Sequence, residues 1–197
     1  IDDEGPAERG PRAGISGGPE AVRPPDVIYI MPSIPPGIPP TIKKVGVFVN
    51  EELSAMKALI GRHGLDAVQL HGSESSDFCK RLRDRGVEVI KVFSVDLNFD
   101  FSTTAPYDDV ADFFLFDTKG TYHGGNARTF PWEILHRFES EKPFFLSGGL
   151  TRENIGGLSL LPGLNLFAVD VNSGVEDNPG HKDPEKVRQF FSALTVL

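Results

Sequence analysis

Residues 113–120 read FFLFDTKG: four large apolar residues are followed directly by an aspartate, a threonine and a lysine. Five other short apolar runs share this form, and each ends in a small polar residue or a glycine. They are VGVFVN (45–50), AVQLHG (67–72), VIKVFS (89–94), FFLSGG (144–149) and FAVDVNSG (167–174). The centres of the six runs lie 22 to 30 residues apart, which is enough chain for one strand, one helix and two loops. The sequence therefore predicts a repeated strand–helix unit.

The predicted fold class is α/β, as a (β/α)8 barrel. Strands this apolar are buried on both faces, which is typical of parallel strands covered by helices. An open doubly wound sheet and a closed barrel both fit the alternation of strands and helices. We favour the barrel because polar residues end every run, as expected when a ring of loops builds one site. Since only six units follow residue 40, the first one or two units are expected to be degenerate, missing or irregular.

The segments between the strands are predicted to be helices. Asn50 is expected to cap the helix after the first run, and Ser75 the helix after AVQLHG. Gly64 is a plausible end for the first of these helices. Residues 183–194 predict a final amphipathic helix. Its apolar residues, expected to face inward, are Val187, Phe190, Phe191 and Leu194.

Length and charge limit the classes of protein to which this chain can belong. A chain of 197 residues is most simply one domain, here residues 1–197, that buries roughly 70% of its unfolded surface. The formal charge of −8 argues against nucleic acid as a partner. No apolar run approaches the roughly 18 residues of a membrane span. The single cysteine, Cys79, fits a reducing compartment, so a cytoplasmic location is expected.

The first 40 residues differ in composition from the rest. They hold ten of the sixteen prolines, a density that opposes both helix and sheet interior. Residues 26–30, DVIYI, form the one credible strand among them. Residues 1–25 are expected to be an atypical, disordered segment rich in proline and glycine.

Two glycine-containing loops follow the last two predicted strands, and they suggest a phosphate site. Gly148 and Gly149 follow the fifth run, while Ser173 and Gly174 follow the sixth. Glycine lets the backbone approach a ligand closely, and free N–H groups favour an anion. The last two loops of (β/α)8 barrels often hold a phosphate, so these four residues are the predicted phosphate-binding groups. Ordinary turn glycines are the alternative.

Asp117 is the strongest candidate for an acid. Its carboxyl group follows four apolar residues, and loss of solvation there would raise its pKa, whereas Lys119 would lower it. A structural aspartate that caps the next loop is the alternative. Asp170 has a similar but weaker pattern, and His71 is expected to contact a ligand rather than to catalyse.

Neither a metal nor a cofactor is expected. The histidines lack the spacing of metal ligands, and no Walker loop or dinucleotide fingerprint occurs. Cys79 falls on the apolar face of a predicted helix, which indicates a core thiol rather than a nucleophile.

Taken together, these motifs resemble the phosphoribosylanthranilate isomerase family. VGVFVN, AVQLHG, LFDTKG with the following Gly124 and Gly125, LSGGL, and AVDVNSGVE before PGHKD match it in order and spacing over residues 41–197. The resemblance implies an enzyme of tryptophan biosynthesis that works without a cofactor. Its reaction is the Amadori rearrangement of N-(5-phosphoribosyl)anthranilate to 1-(2-carboxyphenylamino)-1-deoxyribulose 5-phosphate.

The resemblance also implies roles for individual residues. Asp117 would be the general acid, and the four loop residues named above would hold the phosphate of the sugar substrate. His71, Lys119 and Asp170 would contact the rest of that substrate. Both monomers and homodimers are plausible for such barrels.

Two parts of the family pattern are missing from this chain. The family's base is a cysteine in a KxCG-type motif of the first strand, and a substrate-holding arginine follows the second strand; residues 1–40 supply neither at those places. A shifted reading frame or a wrong start before residue 41 would produce a sequence of this composition. Three hypotheses therefore stand: an isomerase with an altered N-terminal part, a phosphate-ligand-binding barrel that lacks the base, and a sister barrel acting on another sugar phosphate. The pairing of DTK with QLHG argues against the last.

Overall fold

The computed structural model describes residues 37–119, 129–178 and 180–194. Its centre is a six-stranded parallel sheet whose strands lie side by side in the order in which they occur in the chain. The strands are β1 (Val45–Phe48), β2 (Ala67–Leu70), β3 (Glu88–Val95), β4 (Phe113–Thr118), β5 (Phe144–Leu146) and β6 (Leu166–Val169). All six predicted strands are therefore confirmed. A small antiparallel pair, β7 (Glu176–Asn178) and β8 (His181–Lys182), follows them.

In the described residues, three α-helices and four 3₁₀ helices connect or follow the strands. The α-helices are α1 (Leu53–His63), α2 (Ser76–Arg83) and α3 (Pro184–Leu194), and the 3₁₀ helices are Phe101–Tyr107, Trp132–Arg137, Ile155–Leu160 and Ser173–Val175. Two predicted helix ends are confirmed. The Ser75 hydroxyl accepts a hydrogen bond from the Phe78 N–H at 3.2 Å, and Gly64 ends α1 with a φ of 56°.

Two helix predictions are wrong. The residue before α1 is Glu52, not Asn50, and Asn50 instead adopts a φ of 52° and accepts hydrogen bonds from Ser73. This long-range partner lies in the next loop and leaves no trace in local sequence. In α3, Phe190 is buried as predicted, but Phe191 is 59% exposed.

The sheet has two faces of different character. Its outer face packs against the helices, and the helix residues Met56, Cys79 and Leu82 belong to the same core as the outward side chains of the strands. Aromatic rings fill the middle of this core: Phe116 lies 5.3 Å from Phe144 between ring centroids.

Within the described ranges, the inner face carries fewer buried side chains than the outer face. Its buried residues are Ala67, Ile90, Val92 and Leu115, all from strands. At its ends, Val45, Val47 and Phe167 are 42%, 47% and 59% exposed. Among the described residues, no helix side chain covers this face.

The strand order and the placement of the helices separate the two predicted architectures. In a doubly wound sheet the strand order reverses and helices cover both faces, whereas here the order is sequential and the helices lie on one face. This is the arrangement of a (β/α)8 barrel. The predicted segment 1–25, the strand at 26–30, and the pair Gly124 and Gly125 lie outside the described residues.

Candidate active site

Polar side chains from four strands, β2, β4, β5 and β6, meet at the carboxyl edge of the sheet on its inner face. Successive side chains of a strand point to opposite faces of the sheet, and this alternation continues into the residue just after the strand. Asp117, near the end of β4, pairs in register with Ser94 of β3. By the same alternation, the residues that directly follow β2, β5 and β6 also lie on the inner side; they are His71, Ser147 and Asp170. The registers of the parallel strands therefore gather residues that are up to a hundred positions apart in the chain.

His71 and Asp117 form the closest pair at this edge. The Nε2 atom of His71 lies 3.4 Å from Oδ2 of Asp117, and both side chains are about one quarter exposed, at 24% and 25%. The other ring nitrogen, Nδ1, lies 3.5 Å from the Gln69 side-chain nitrogen. If the Gln69 amide donates to Nδ1, a neutral His71 carries its proton on Nε2, the nitrogen that faces Asp117.

The surroundings of Asp170 shift the pKa of its carboxyl group. Burial raises the pKa of Asp170 above its usual value of 3.8, and the negative charge of Asp117 raises it further. The hydroxyl of Ser147, which donates to Oδ2 of Asp170 at 3.2 Å, opposes this rise. Ser147 was not singled out as a site residue from the sequence; its position directly before two glycines was the available signal.

The two glycine-containing loops lie against each other and against β4. Gly148 has a φ of 85° and Gly149 a φ of 71°, and a Cβ on Gly148 would lie 2.4 Å from the Thr118 backbone nitrogen. A Cβ on Gly174 would lie 1.9 Å from the carbonyl oxygen of Leu150. Only glycine permits either approach.

These loops present unused donors. Among the described residues, the backbone N–H groups of Gly149, Ser173 and Gly174 have no hydrogen-bond acceptor. Free N–H groups on glycine-containing turns are the groups that bind anions in proteins.

Lys119 and Cys79 lie apart from this cluster. Lys119 is exposed, and its ammonium group pairs with Asp96 at 2.8 Å beside the end of β3. Cys79 is fully buried in α2 on the outer side of the sheet, and burial raises its pKa to about 11. It is a core thiol, as predicted.

A buried ion pair supports the loop after β2, and it was not predicted from the sequence. Lys91 and Glu74, joined by a 3.1 Å contact, have side chains only 4% and 2% exposed. A lysine in the middle of the apolar run VIKVFS was the signal that could have found it, because charged side chains are rarely fully buried unless paired.

No group of three or more potential metal ligands occurs in the part of the chain that the structure describes. Of the helices in those same residues, none has the length and apolar character needed to cross a membrane.

The fold and this site together define a class: a parallel α/β protein of the (β/α)8 type with its polar groups at the carboxyl ends of the strands. Comparison with known proteins refines that class. The family model described as N-(5'phosphoribosyl)anthranilate (PRA) isomerase matches residues 37–193. The chain therefore belongs to the N-(5'-phosphoribosyl)anthranilate isomerase family, and the recognition from motifs is confirmed.

Individual relatives agree with the family model. The isomerase of Parabacteroides distasonis is 40% identical over 152 residues, which are 77% of this chain and 69% of the relative. The isomerase of Phocaeicola vulgatus is 37% identical over 160 residues, 81% of this chain and 78% of the relative.

Solved structures of the family superpose on this chain. The crystal structure of the isomerase from Thermotoga maritima has a TM-score of 0.69 at 36% identity, covering 81% of this chain and 76% of that one. Another, of the isomerase in complex with reduced 1-(o-carboxyphenylamino)-1-deoxyribulose 5-phosphate, has a TM-score of 0.66 at 34% identity and covers 82% and 75%. These structures are (β/α)8 barrels, which confirms the predicted fold class.

Proposed function

We propose that this chain catalyses the Amadori rearrangement of N-(5'-phosphoribosyl)anthranilate to 1-(2-carboxyphenylamino)-1-deoxyribulose 5-phosphate, a step of tryptophan biosynthesis. Membership of the family supports the reaction, since the relatives carry the name of this isomerase. The single observation that carries the assignment of roles is the Asp117 carboxyl group, at the carboxyl end of β4 and 3.4 Å from His71.

Asp117 is the proposed general acid. The rearrangement begins when the ring oxygen of the ribose takes a proton and the ring opens to a Schiff base; a base then removes the proton from C2. Transfers of this kind need a side chain within hydrogen-bond reach of the reacting atom. The inner-face position of Asp117, beside the two glycine-containing loops, suits it to reach a ring oxygen on a substrate whose phosphate those loops hold.

Gly148, Gly149, Ser173 and Gly174 are the proposed phosphate-binding residues. The unused N–H groups of the last three support this role, because backbone donors bind a phosphate without a lysine. The close packing of Gly174 against the carbonyl of Leu150 keeps the two loops together, so that both can contact one phosphate group.

His71, Lys119 and Asp170 are the proposed substrate contacts. His71 and Asp170 flank Asp117 on the inner face, which supports a direct role for both. Lys119 would have to leave Asp96 to reach a substrate. A single domain over residues 1–197, a cytoplasmic location, and a monomeric or homodimeric state stay predictions. One solved relative is described as monomers generated from the dimeric isomerase of Thermotoga maritima.

A second function has one observation in its favour: ligand binding with little or no turnover. The one cysteine of the chain is buried on the outer side of the sheet with a pKa near 11, so it cannot remove a proton at the inner face. Loss of a proton-transfer group typically costs about 10²–10⁴-fold in rate.

Two measurements on the unmodified chain and on Asp117→Asn separate these functions. They are an isomerase assay and a titration with reduced 1-(o-carboxyphenylamino)-1-deoxyribulose 5-phosphate, the reduced product analogue. Turnover that falls about 10²–10⁴-fold in Asp117→Asn, with the analogue still bound, supports the isomerase and its acid. Binding without turnover in the unmodified chain supports the second function, and absence of both refutes the site. Asp84→Asn, an exposed change at the end of α2, is the control.

A further inference from the structure

The ammonium group of Lys91 is buried on the outer side of the sheet, yet all three of its hydrogen-bond acceptors lie at the end of β2 or in the loop that carries His71. Its Nζ atom donates to the carbonyl oxygens of Leu70 and Gly72 at 3.1 and 2.6 Å, and to a carboxylate oxygen of Glu74 at 3.1 Å. A lysine has three N–H donors, so all three are used. The same Nζ atom also lies 5.9 Å from the centre of the Tyr107 ring. The two carbonyl groups are those of the residues immediately before and after His71.

Glu74 accepts further hydrogen bonds that connect this loop to neighbouring segments. Its two carboxylate oxygens accept from the Asn50 N–H at 2.7 Å and from the Gly72 N–H at 3.0 Å, while its backbone carbonyl accepts from the Tyr107 hydroxyl at 3.0 Å. The side chain of Asn50 in turn accepts from the backbone N–H and the hydroxyl of Ser73. The pair therefore joins the loops after β1 and β2 into one fixed unit.

We propose that Lys91 and Glu74 are positioning residues that fix the backbone on both sides of His71 and so hold its ring against Asp117. Neither side chain reaches the inner face, and neither is a catalytic residue. The consequence for activity rests on the function proposed above, whereas the consequence for the His71 ring does not.

The placement of the pair supports a positioning role over simple stabilisation. A buried ion pair is a weak source of stability, because the loss of solvation offsets much of the attraction between the charges. Fully satisfied polar networks do, however, impose one unique local structure. This network encloses the peptide groups around one residue of the proposed site.

The test uses Lys91→Met and the neutral double variant Lys91→Met/Glu74→Gln, which avoids leaving one buried charge unpaired. The ¹⁵N chemical shifts of the His71 ring nitrogens report its tautomer and its contact with Asp117. Titration with reduced 1-(o-carboxyphenylamino)-1-deoxyribulose 5-phosphate reports ligand affinity. We expect the His71 ring shifts to change in both variants and affinity to fall at least about tenfold, the equivalent of about 1.4 kcal/mol.

Lys142→Met is the matched control. Lys142 also donates to a backbone carbonyl, that of Ala111 at 2.9 Å, but before the amino end of β4 and far from His71. It should leave both readouts unchanged. Folded Lys91 variants with unchanged His71 shifts would overturn the proposal, as would equal changes in the control. If the unmodified chain fails to bind the analogue, the proposed function fails, but the ring shifts still decide the positioning role.

Amide hydrogen exchange in the unmodified protein keeps the proposal testable if neither variant folds. The Asn50 and Gly72 amides, both bonded to buried Glu74, should exchange at least about tenfold more slowly than the Glu52 amide, whose acceptor is its exposed neighbour Glu51. Equal exchange rates would overturn it.

Discussion

The outer and inner faces of the same six strands differ in how completely they are packed. The outer face lies under helices, and its aromatic residues Phe114, Phe116 and Phe144 are fully buried. Among the described residues, the inner face holds four buried apolar residues, and Val47 and Phe167 on the same face are exposed. The stability of the described fold therefore comes mainly from the outer face, whereas the proposed chemistry belongs to the rim of the inner one.

The largest expected effect is on the outer face. Phe144→Ala removes a fully buried ring between Phe116 and Phe138, and the cavity left behind should cost about 3–5 kcal/mol of unfolding free energy. Denaturant unfolding measures this loss. A cost below about 1 kcal/mol would show that the outer core does not carry the stability of the fold.

Next in size is a change at the rim of the inner face. Gly148→Ala combines a φ of 85° with a Cβ 2.4 Å from Thr118, so the loop after β5 must move away from β4. Affinity for the reduced product analogue, measured by calorimetry, should fall about tenfold or more. Gly163→Ala is the matched control, since Gly163 has a φ of 80° with nothing within 4 Å of the added Cβ. Equal affinity losses in both variants would place the phosphate elsewhere.

A smaller effect is expected for an exposed ring of the inner face. Phe167→Ala removes the same side chain as Phe144→Ala from the adjacent strand, but this ring is 59% exposed and contacts only Phe113 and Phe145 among aromatic residues described. The loss of unfolding free energy should be about 1 kcal/mol or less. A loss as large as that of Phe144→Ala would remove the difference between the two faces.

The smallest expected effect concerns pH. The pKa of Asp170 is raised in the folded state by burial, so this carboxyl group favours folding below its unfolded pKa near 3.8. That contribution is lost as pH rises from the unfolded pKa through the higher folded one. Asp170→Asn keeps an oxygen acceptor for Ser147 and should flatten the stability curve in this window. Thermal unfolding measured from pH 3.5 to 7 tests this, and an unchanged pH dependence would contradict it.

The sequence predicted what depends on local pattern. Six strands and the cap at Ser75 follow from short runs of residues, and the gathering of His71, Asp117 and Asp170 at one edge follows from the rule that parallel strands share a carboxyl end. What it missed depends on contacts between distant segments. Asn50 accepts hydrogen bonds from Ser73 rather than capping α1. Lys91 in β3 forms an ion pair with Glu74 in the loop after β2.

The prediction that Phe191 faces inward is wrong for a related reason. Helical periodicity defines an apolar stripe, but neighbouring core elements decide how wide a stripe is covered. In α3 the core reaches Phe190 and leaves Phe191, the next residue, 59% exposed.

We propose above that the inner-face rim of β4 to β6 binds the phosphorylated substrate next to Asp117. Titration of ¹⁵N-labelled protein with reduced 1-(o-carboxyphenylamino)-1-deoxyribulose 5-phosphate tests it most directly. We expect the largest amide shifts at Gly149, Ser173 and Gly174, accompanied by a shift at Asp117. Saturable binding that leaves these four amides unchanged, or no binding at millimolar ligand, would contradict it.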